Sequence, residues 1–144
     1  MFVIFEGLDK AGKGTLEWEF LKATNFKHIV IDRGPAGYIV FDNIFGRQTD
    51  EGDVEFIRSA RIAMETNSFM VVYCRVNSAT ALARIAEHNE TCPYDYNKAQ
   101  DVYDWCIGTI YDKEKVVTID TSMSIEECVN EIIKKLEVLK GEHN

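Results

Sequence analysis

No apolar run in this sequence approaches the ~20 residues that a bilayer-spanning helix needs, so no such helix is expected. An excess of positive charge is also missing: 16 Lys and Arg stand against 24 Asp and Glu, a net charge of −8. Proteins that coat nucleic acid are usually basic, so general nucleic-acid binding is not expected. The four cysteines, Cys74, Cys92, Cys106 and Cys128, form no CxxC pair and lie apart in sequence from His28, His88 and His143. No zinc spacing results, and reduced, buried thiols are the plain expectation. Residues 1–10 have neither a basic start nor a cleavage site and do not read as a signal peptide. The expected setting is the cytoplasm. Repeats, linkers and low-complexity segments are absent as well.

What is present is a composition near the globular average, 46% hydrophobic and 28% charged over 144 residues. That length fits one domain, residues 1–144. Short apolar runs at Met1–Phe5, Ile29–Ile31, Phe69–Val76 and Val116–Ile119 read as buried strands. Helical spacing fills the intervals: Lys13–Ala23, Gly37–Phe45, a helix with an acidic start at Asp50–Asp53, one capped by Ser78, Asp95–Tyr111, and a last one opened by Ser124. In the fifth, Ala99, Val102, Trp105, Cys106 and Ile110 form the apolar face. Residues 141–144 read as a frayed tail. Strands alternating with helices predict an α/β fold with a parallel sheet of about four strands flanked by helices.

The first strand is followed by Gly7-Leu8-Asp9-Lys10-Ala11-Gly12-Lys13-Gly14-Thr15 and then a helix. Gly7 and Gly12 permit turns that side chains obstruct. Successive N–H groups, those of Ala11 and Gly14 among them, can then wrap the phosphates of ATP, with the helix N-terminus aimed at the same anion. Lys13 reaches the β- and γ-phosphates, and a hydroxyl meets Mg²⁺. In the strict motif that hydroxyl follows the lysine directly; here Gly14 intervenes and Thr15 supplies it. The GxGxxG pattern of dinucleotide folds is absent.

Ligands of α/β folds bind at the carboxyl ends of strands, and Asp32-Arg33 ends the next one. Arg33 can grip an acceptor phosphate bidentately. Asp32 can hold Mg²⁺ through water or orient the acceptor. An isolated Asp-Arg pair would be a surface ion pair; its place beside a phosphate loop argues otherwise. Tyr38, Phe41 and Phe45 either stack on an acceptor base or pack at helical spacing.

Phe5-Glu6-Gly7-Leu8-Asp9-Lys10-Ala11-Gly12-Lys13-Gly14-Thr15 resembles the phosphate loop of thymidylate kinases. Asp32-Arg33-Gly34-Pro35-Ala36-Gly37-Tyr38 resembles that family's DR segment, and Val76–Ile85 its passage from strand to helix ahead of the lid. The resemblance implies a P-loop deoxynucleoside monophosphate kinase, with ATP and Mg²⁺ as cofactors, nucleotides as substrates and a homodimer as one assembly. It implies that Asp9 contacts the acceptor 3′-hydroxyl or a magnesium-bound water, and that Arg33 holds the acceptor phosphate. Phe41 then stands near C2′ and disfavours ribose. Asp120-Thr121-Ser122 falls where the family's adenine-contacting loop lies.

The departures are specific. The family is longer and places another strand between the phosphate loop and the DR strand. The tyrosine and serine of its DR segment are Gly34 and Gly37 here. An arginine that reads the base precedes the DR motif in the family; in this chain Arg58 and Arg61 follow it and are the candidate substitutes. The apparent lid, Ala86–Asn97, contains no Lys or Arg. Lys10 occupies the position of a loop-borne cation in one branch of the family, and Arg84 lies just ahead of the lid. A reduced form of the kind viruses encode would suit the length. The leading expectation is phosphorylation of dTMP. The alternatives are a deoxynucleoside kinase with Glu6 or Asp32 as base, a kinase of nucleic-acid ends or modified bases, and a nucleotide-binding module without activity.

Overall fold

A computed structural model describes residues 1–47 and 50–141. The chain runs β1 (Phe2–Glu6), α1 (Lys13–Ala23), β2 (Ile29–Asp32), α2 (Pro35–Ile44), α3 (Asp50–Thr66), β3 (Phe69–Arg75), α4 (Ser78–Glu87), α5 (Tyr96–Ile110), a 3₁₀ turn at Lys113–Lys115, β4 (Val116–Asp120) and α6 (Ile125–Gly141). The expected tail beyond Gly141 lies outside the described residues. The four strands form one parallel sheet in the order β2-β1-β3-β4.

Burial follows that order. The central strands are continuous apolar runs, as strands covered on both faces require: Val3, Ile4 and Phe5 on β1 and Phe69 to Cys74 on β3 are buried. The outer strands β2 and β4 are only partly buried. Alternation along β1 sends Phe5 to one face, where it meets Phe20 of α1 at 6.0 Å between ring centroids. Ile4 and Glu6 face the other layer, where α2 packs on α5. On the first face, α1 packs on α6.

Register sets the site. Phe5 pairs with Asp32, Glu6 with Tyr73, and Arg75 with Asp120. The carboxyl ends of all four strands therefore lie along one rim, and the loops that follow them rise from it.

Local chemistry places the helix ends. Gly12, with φ of +82°, is the N-cap of α1 and offers no side-chain cap. Pro35 opens α2, where its missing N–H costs nothing. The expected cap at Ser78 is corrected to Asn77, whose side-chain oxygen accepts from the Thr80 amide at 2.8 Å. Ser124 opens α6 in the expected capping-box-like way: its hydroxyl accepts from the Glu127 amide at 3.1 Å and donates to Glu127 Oε1 at 3.2 Å. The helix α5 buries Ala99, Tyr103, Cys106, Ile107 and Ile110, and Trp105 falls outside that stripe at 65% exposure. Phe56 and Ile62 of α3 are likewise exposed, and Phe56 meets the exposed Tyr38 edge-on rather than entering the core.

Candidate active site

The loop after β1 folds around two constraints. Gly7 has φ of +151°, and a Cβ there would stand 2.6 Å from the Cys74 carbonyl oxygen. No side chain fits. Lys10 also adopts a left-handed conformation, with φ of +61°. With no side chain capping α1, its first amides face the loop's concavity, the arrangement that suits a phosphate.

Lys13 bonds Asp32 at the end of the neighbouring strand, Nζ to Oδ1 at 2.9 Å. The ammonium is 13% exposed and the carboxylate 63%. Glu17 stands one turn along α1, on the same face as Lys13. Burial, and then the hydrogen bond and charge of Asp32, push the Glu17 carboxyl up to about 8. The hydrogen bond from Glu17 and the contact with Lys13 hold Asp32 below its ordinary value. The arrangement is a protonated Glu17 donating to an ionised Asp32, itself paired with Lys13. The second oxygen of Glu17 is buried without a partner.

Arg33 follows in a left-handed conformation, φ +64°. Its guanidinium lies over the Phe41 ring at 4.0 Å, and its Nε is buried without a partner. Phe41 stacks with Phe45 at 6.3 Å, and both meet Tyr94 edge-on. Tyr94 stacks on Tyr96 and donates to the Asp9 carboxylate at 3.1 Å, while the Tyr96 hydroxyl donates to the Asp9 carbonyl at 3.3 Å. The α2 side of the rim is thus an aromatic wall against which the Arg33 guanidinium lies. Its contact with the loop runs through Asp9.

The α4 side differs. Arg84 donates to the Lys10 carbonyl at 2.9 Å, the Thr121 carbonyl at 3.0 Å and the Thr121 hydroxyl at 3.3 Å. It ties the phosphate loop to the turn after β4. A cavity of about 390 Å³ opens there, lined by Lys10, Gly12, Thr15, Arg84, Thr121 and Met123 among others. A second, of about 280 Å³, lies between Asp9, Lys10 and the lid residues Glu90, Cys92 and Tyr94. A larger one of about 920 Å³ beside β4 and α5 holds none of the residues marked by the sequence motifs.

Glu6 is fully buried between the two sides. Oε1 accepts from the amides of Gly34 at 3.1 Å and Gly37 at 3.0 Å, and from the Tyr103 hydroxyl at 2.7 Å. Oε2 accepts from the Ala36 amide at 3.0 Å and the Tyr111 hydroxyl at 2.6 Å. Burial raises the Glu6 pKa against the opposing pull of the two tyrosines and the Gly34 and Gly37 amides. Sealed by five donors, Glu6 cannot reach a substrate, which corrects its candidacy as a base. The cluster also explains the two glycines of the DR segment. A Cβ on Gly34 would stand 2.5 Å from Ile4 Cγ2, and one on Gly37 would stand 2.8 Å from the Tyr103 hydroxyl.

The rim gathers Asp9, Lys10, Lys13, Thr15, Asp32, Arg33, Phe41 and Arg84 into one region. Three candidates fall elsewhere. Arg61 donates to the Thr109 carbonyl at 2.7 Å beside Phe69, at the opposite end of the sheet. Arg58 pairs with Glu55 on the exposed face of α3, and Tyr38 is half exposed against Phe56. Sequence reasoning missed Glu17, Tyr94, Tyr96 and Tyr103 as parts of the site. The four-residue step from Lys13 to Glu17 was a usable signal; the tyrosines lie too far along the chain to offer one.

Thr15 and Asp32 have the donor types that Mg²⁺ takes, with Glu17 as a third oxygen donor nearby. Among the described residues, no cluster of three or more His, Cys, Asp or Glu suits a metal held by protein alone.

By sequence, no family model and no curated protein matches the chain. By structure, it is similar to the Bacillus subtilis protein YorR in complex with phosphorylated GDP, at TM-score 0.73 and 16% identity, over 100% of this chain and 99% of that one. It is also similar to deoxyadenosine kinase from M. mycoides with bound dCTP, at TM-score 0.68 and 15% identity, over 96% of this chain and 100% of that one. A gluconokinase from Sinorhizobium meliloti matches at TM-score 0.55 and 10% identity, over 95% of this chain and 91% of that one. No described helix is long and apolar enough to cross a membrane. The chain has the α/β fold of P-loop kinases, a four-stranded parallel sheet flanked by helices.

Proposed function

We propose that residues 1–144 act as one nucleotide-kinase unit that transfers the γ-phosphoryl group of ATP to a deoxynucleoside monophosphate, with dTMP the leading acceptor. The observation that carries this reading is Arg33: a planar cation 4.0 Å above Phe41, with a buried, unpartnered Nε, on the acceptor side of the loop. A phosphate is the ligand that a guanidinium so held suits best.

In this reading the loop amides and Lys13 hold the β- and γ-phosphates, and Lys13 leaves Asp32 to do so. Asp32 and Thr15 would hold Mg²⁺, which supplies charge neutralisation at the phosphates. Arg33 grips the acceptor phosphate. Asp9, fixed by Tyr94, faces the acceptor sugar, and Phe41 narrows the space near C2′. Arg84 is tied to the Lys10 and Thr121 carbonyls and the Thr121 hydroxyl, and Lys10 is the proposed cation for the transferring group. Positioning and charge neutralisation suffice. The attacking oxygen is ionised near neutral pH, so no general base is required.

A second reading, a deoxynucleoside kinase, is favoured by Asp32. It is exposed and held ionised beside the loop, as a base for a sugar hydroxyl would be. The similarity to a deoxyadenosine kinase supports it equally. An ADP-release assay over nucleosides and their monophosphates separates the two. Turnover of monophosphates supports the first reading, and turnover confined to nucleosides overturns it.

A further inference from the structure

The two sides of the rim are joined by a buried chain of hydrogen bonds from Gly7 to Gly34 and Gly37. The Gly7 amide donates to the Tyr103 hydroxyl at 2.9 Å. That hydroxyl donates to Glu6 Oε1 at 2.7 Å, and the same oxygen accepts from the Gly34 and Gly37 amides. The first residue of the phosphate loop is thus three bonds from the backbone on either side of Pro35-Ala36, which carries Arg33 at its start. Tyr111 gives a contrast within the same cluster. It donates to Oε2, which serves the Ala36 amide and does not lead to Gly7.

We propose that Tyr103 and Glu6 are positioning residues that couple the two halves of the site, so that ordering the phosphate loop tightens the Arg33–Gly37 segment. This rests on the reading of Gly7–Thr15 as a nucleotide phosphate site. The physical reason is the stiffness of the parts. Gly7 is packed so closely that a Cβ there would stand 2.6 Å from the Cys74 carbonyl oxygen. The Tyr103 ring is fully buried and stacked on Tyr73 at 5.4 Å. Glu6 has no exposed surface. Opening the loop breaks the Gly7–Tyr103 bond and leaves the hydroxyl free to swing from Glu6. The Gly34 and Gly37 amides then share a less completely bonded carboxylate. A ligand that holds the loop closed removes that opening, and by linkage an acceptor gripped by Arg33 steadies the loop in return.

The test is hydrogen exchange of the full chain with and without adenylyl imidodiphosphate and Mg²⁺. In the native protein the analogue should slow exchange of the loop amides. It should also slow exchange at Gly34, Ala36 and Gly37 by about fivefold or more, the lower range of coupling between sites. Tyr103→Phe keeps the buried ring and removes the linking hydroxyl. Its loop should still be protected by the analogue, while the response at Gly34 and Gly37 shrinks below about twofold. Tyr111→Phe removes an equivalent hydroxyl from the other branch and should transmit as the native protein does. The proposal is overturned if Tyr103→Phe transmits fully, if Tyr111→Phe loses the response to the same degree, or if the native protein protects its loop with no change at Gly34–Gly37. Absence of loop protection in the native protein would instead reject the phosphate-site reading, and the coupling with it.

Discussion

The two sides of the rim are built from different materials. On the phosphate-loop side, backbone carries most of the geometry: a glycine against a carbonyl, an uncapped helix start, and Arg84 bonded to two main-chain oxygens. On the α2 side, the proposed acceptor side, side chains do it: Arg33 over Phe41, the Phe45–Tyr94–Tyr96 wall, and Asp9 held by a tyrosine hydroxyl. A backbone cradle suits a ligand part that never varies, such as a polyphosphate. A side-chain wall can be altered one residue at a time, which suits the part of a substrate that differs from one kinase to another. Substitutions should therefore act differently on the two sides, and the following tests would break or sharpen that contrast.

The largest effect is expected at Lys13, the side chain proposed to reach the β- and γ-phosphates. Lys13→Ala should lower kcat by about 10²–10³-fold, the usual scale for losing one preorganised charge stabiliser, with the fold intact by circular dichroism. Near-native turnover would remove the cradle from the chemistry. Lys10→Ala should lower kcat more than it raises either KM, since its charge acts in the transition state. Arg84→Ala should raise the KM for ATP instead, because it loosens the cavity wall. An unaffected kcat in the first and a collapsed kcat in the second would exchange their roles.

On the acceptor side, Phe41→Leu should weaken discrimination between dTMP and its ribose analogue. A single steric contact supports roughly 10–200-fold selectivity, and part of that should be lost in competition assays. The same substitution removes the ring beneath Arg33, so the acceptor KM should rise while the KM for ATP holds.

The smallest effect concerns pH. The Glu17 carboxyl titrates near 8 in the folded chain against an ordinary value of 4.5. Between those values the folded state binds more protons than the unfolded state, so stability falls as pH rises through that window. Glu17→Gln removes the titrating group. Its Tm should fall less than the native Tm between pH of about 5 and about 8. A native Tm that rises across this window relative to the variant would contradict the raised Glu17 pKa, and with it the burial and the Asp32 contact that raise it.

The same contrast explains what could be read in the sequence. The donor cradle was legible because contiguous residues make it, and because glycines at fixed spacing have a steric cause. The sheet was legible because buried parallel strands are unbroken apolar runs, as Phe69–Val76 is. Of the aromatic wall, Phe41 and Phe45 were legible at helical spacing, but Tyr94 was not, since it meets them only after α3, β3 and α4 have intervened. Arg61 misled because spacing along α3 carries no information about which end of the sheet the helix serves. Trp105 misled because aromatic character outweighed its position one step off the stripe of Tyr103, Cys106 and Ile110. Glu6 held an unread clue: an acid on a buried central strand, facing a covered layer, must be met by donors.

The proposed function requires Arg33 to receive the phosphate of the acceptor. The most direct measurement is a steady-state comparison of native protein and Arg33→Lys over a panel of deoxynucleosides and their monophosphates. Lysine keeps the charge but cannot lie flat on Phe41 or bind bidentately. The account predicts turnover of monophosphates, a rise of about tenfold in acceptor KM from a lost stacked contact, and an unchanged KM for ATP. Turnover of nucleosides alone, with both constants indifferent to the substitution, would contradict it.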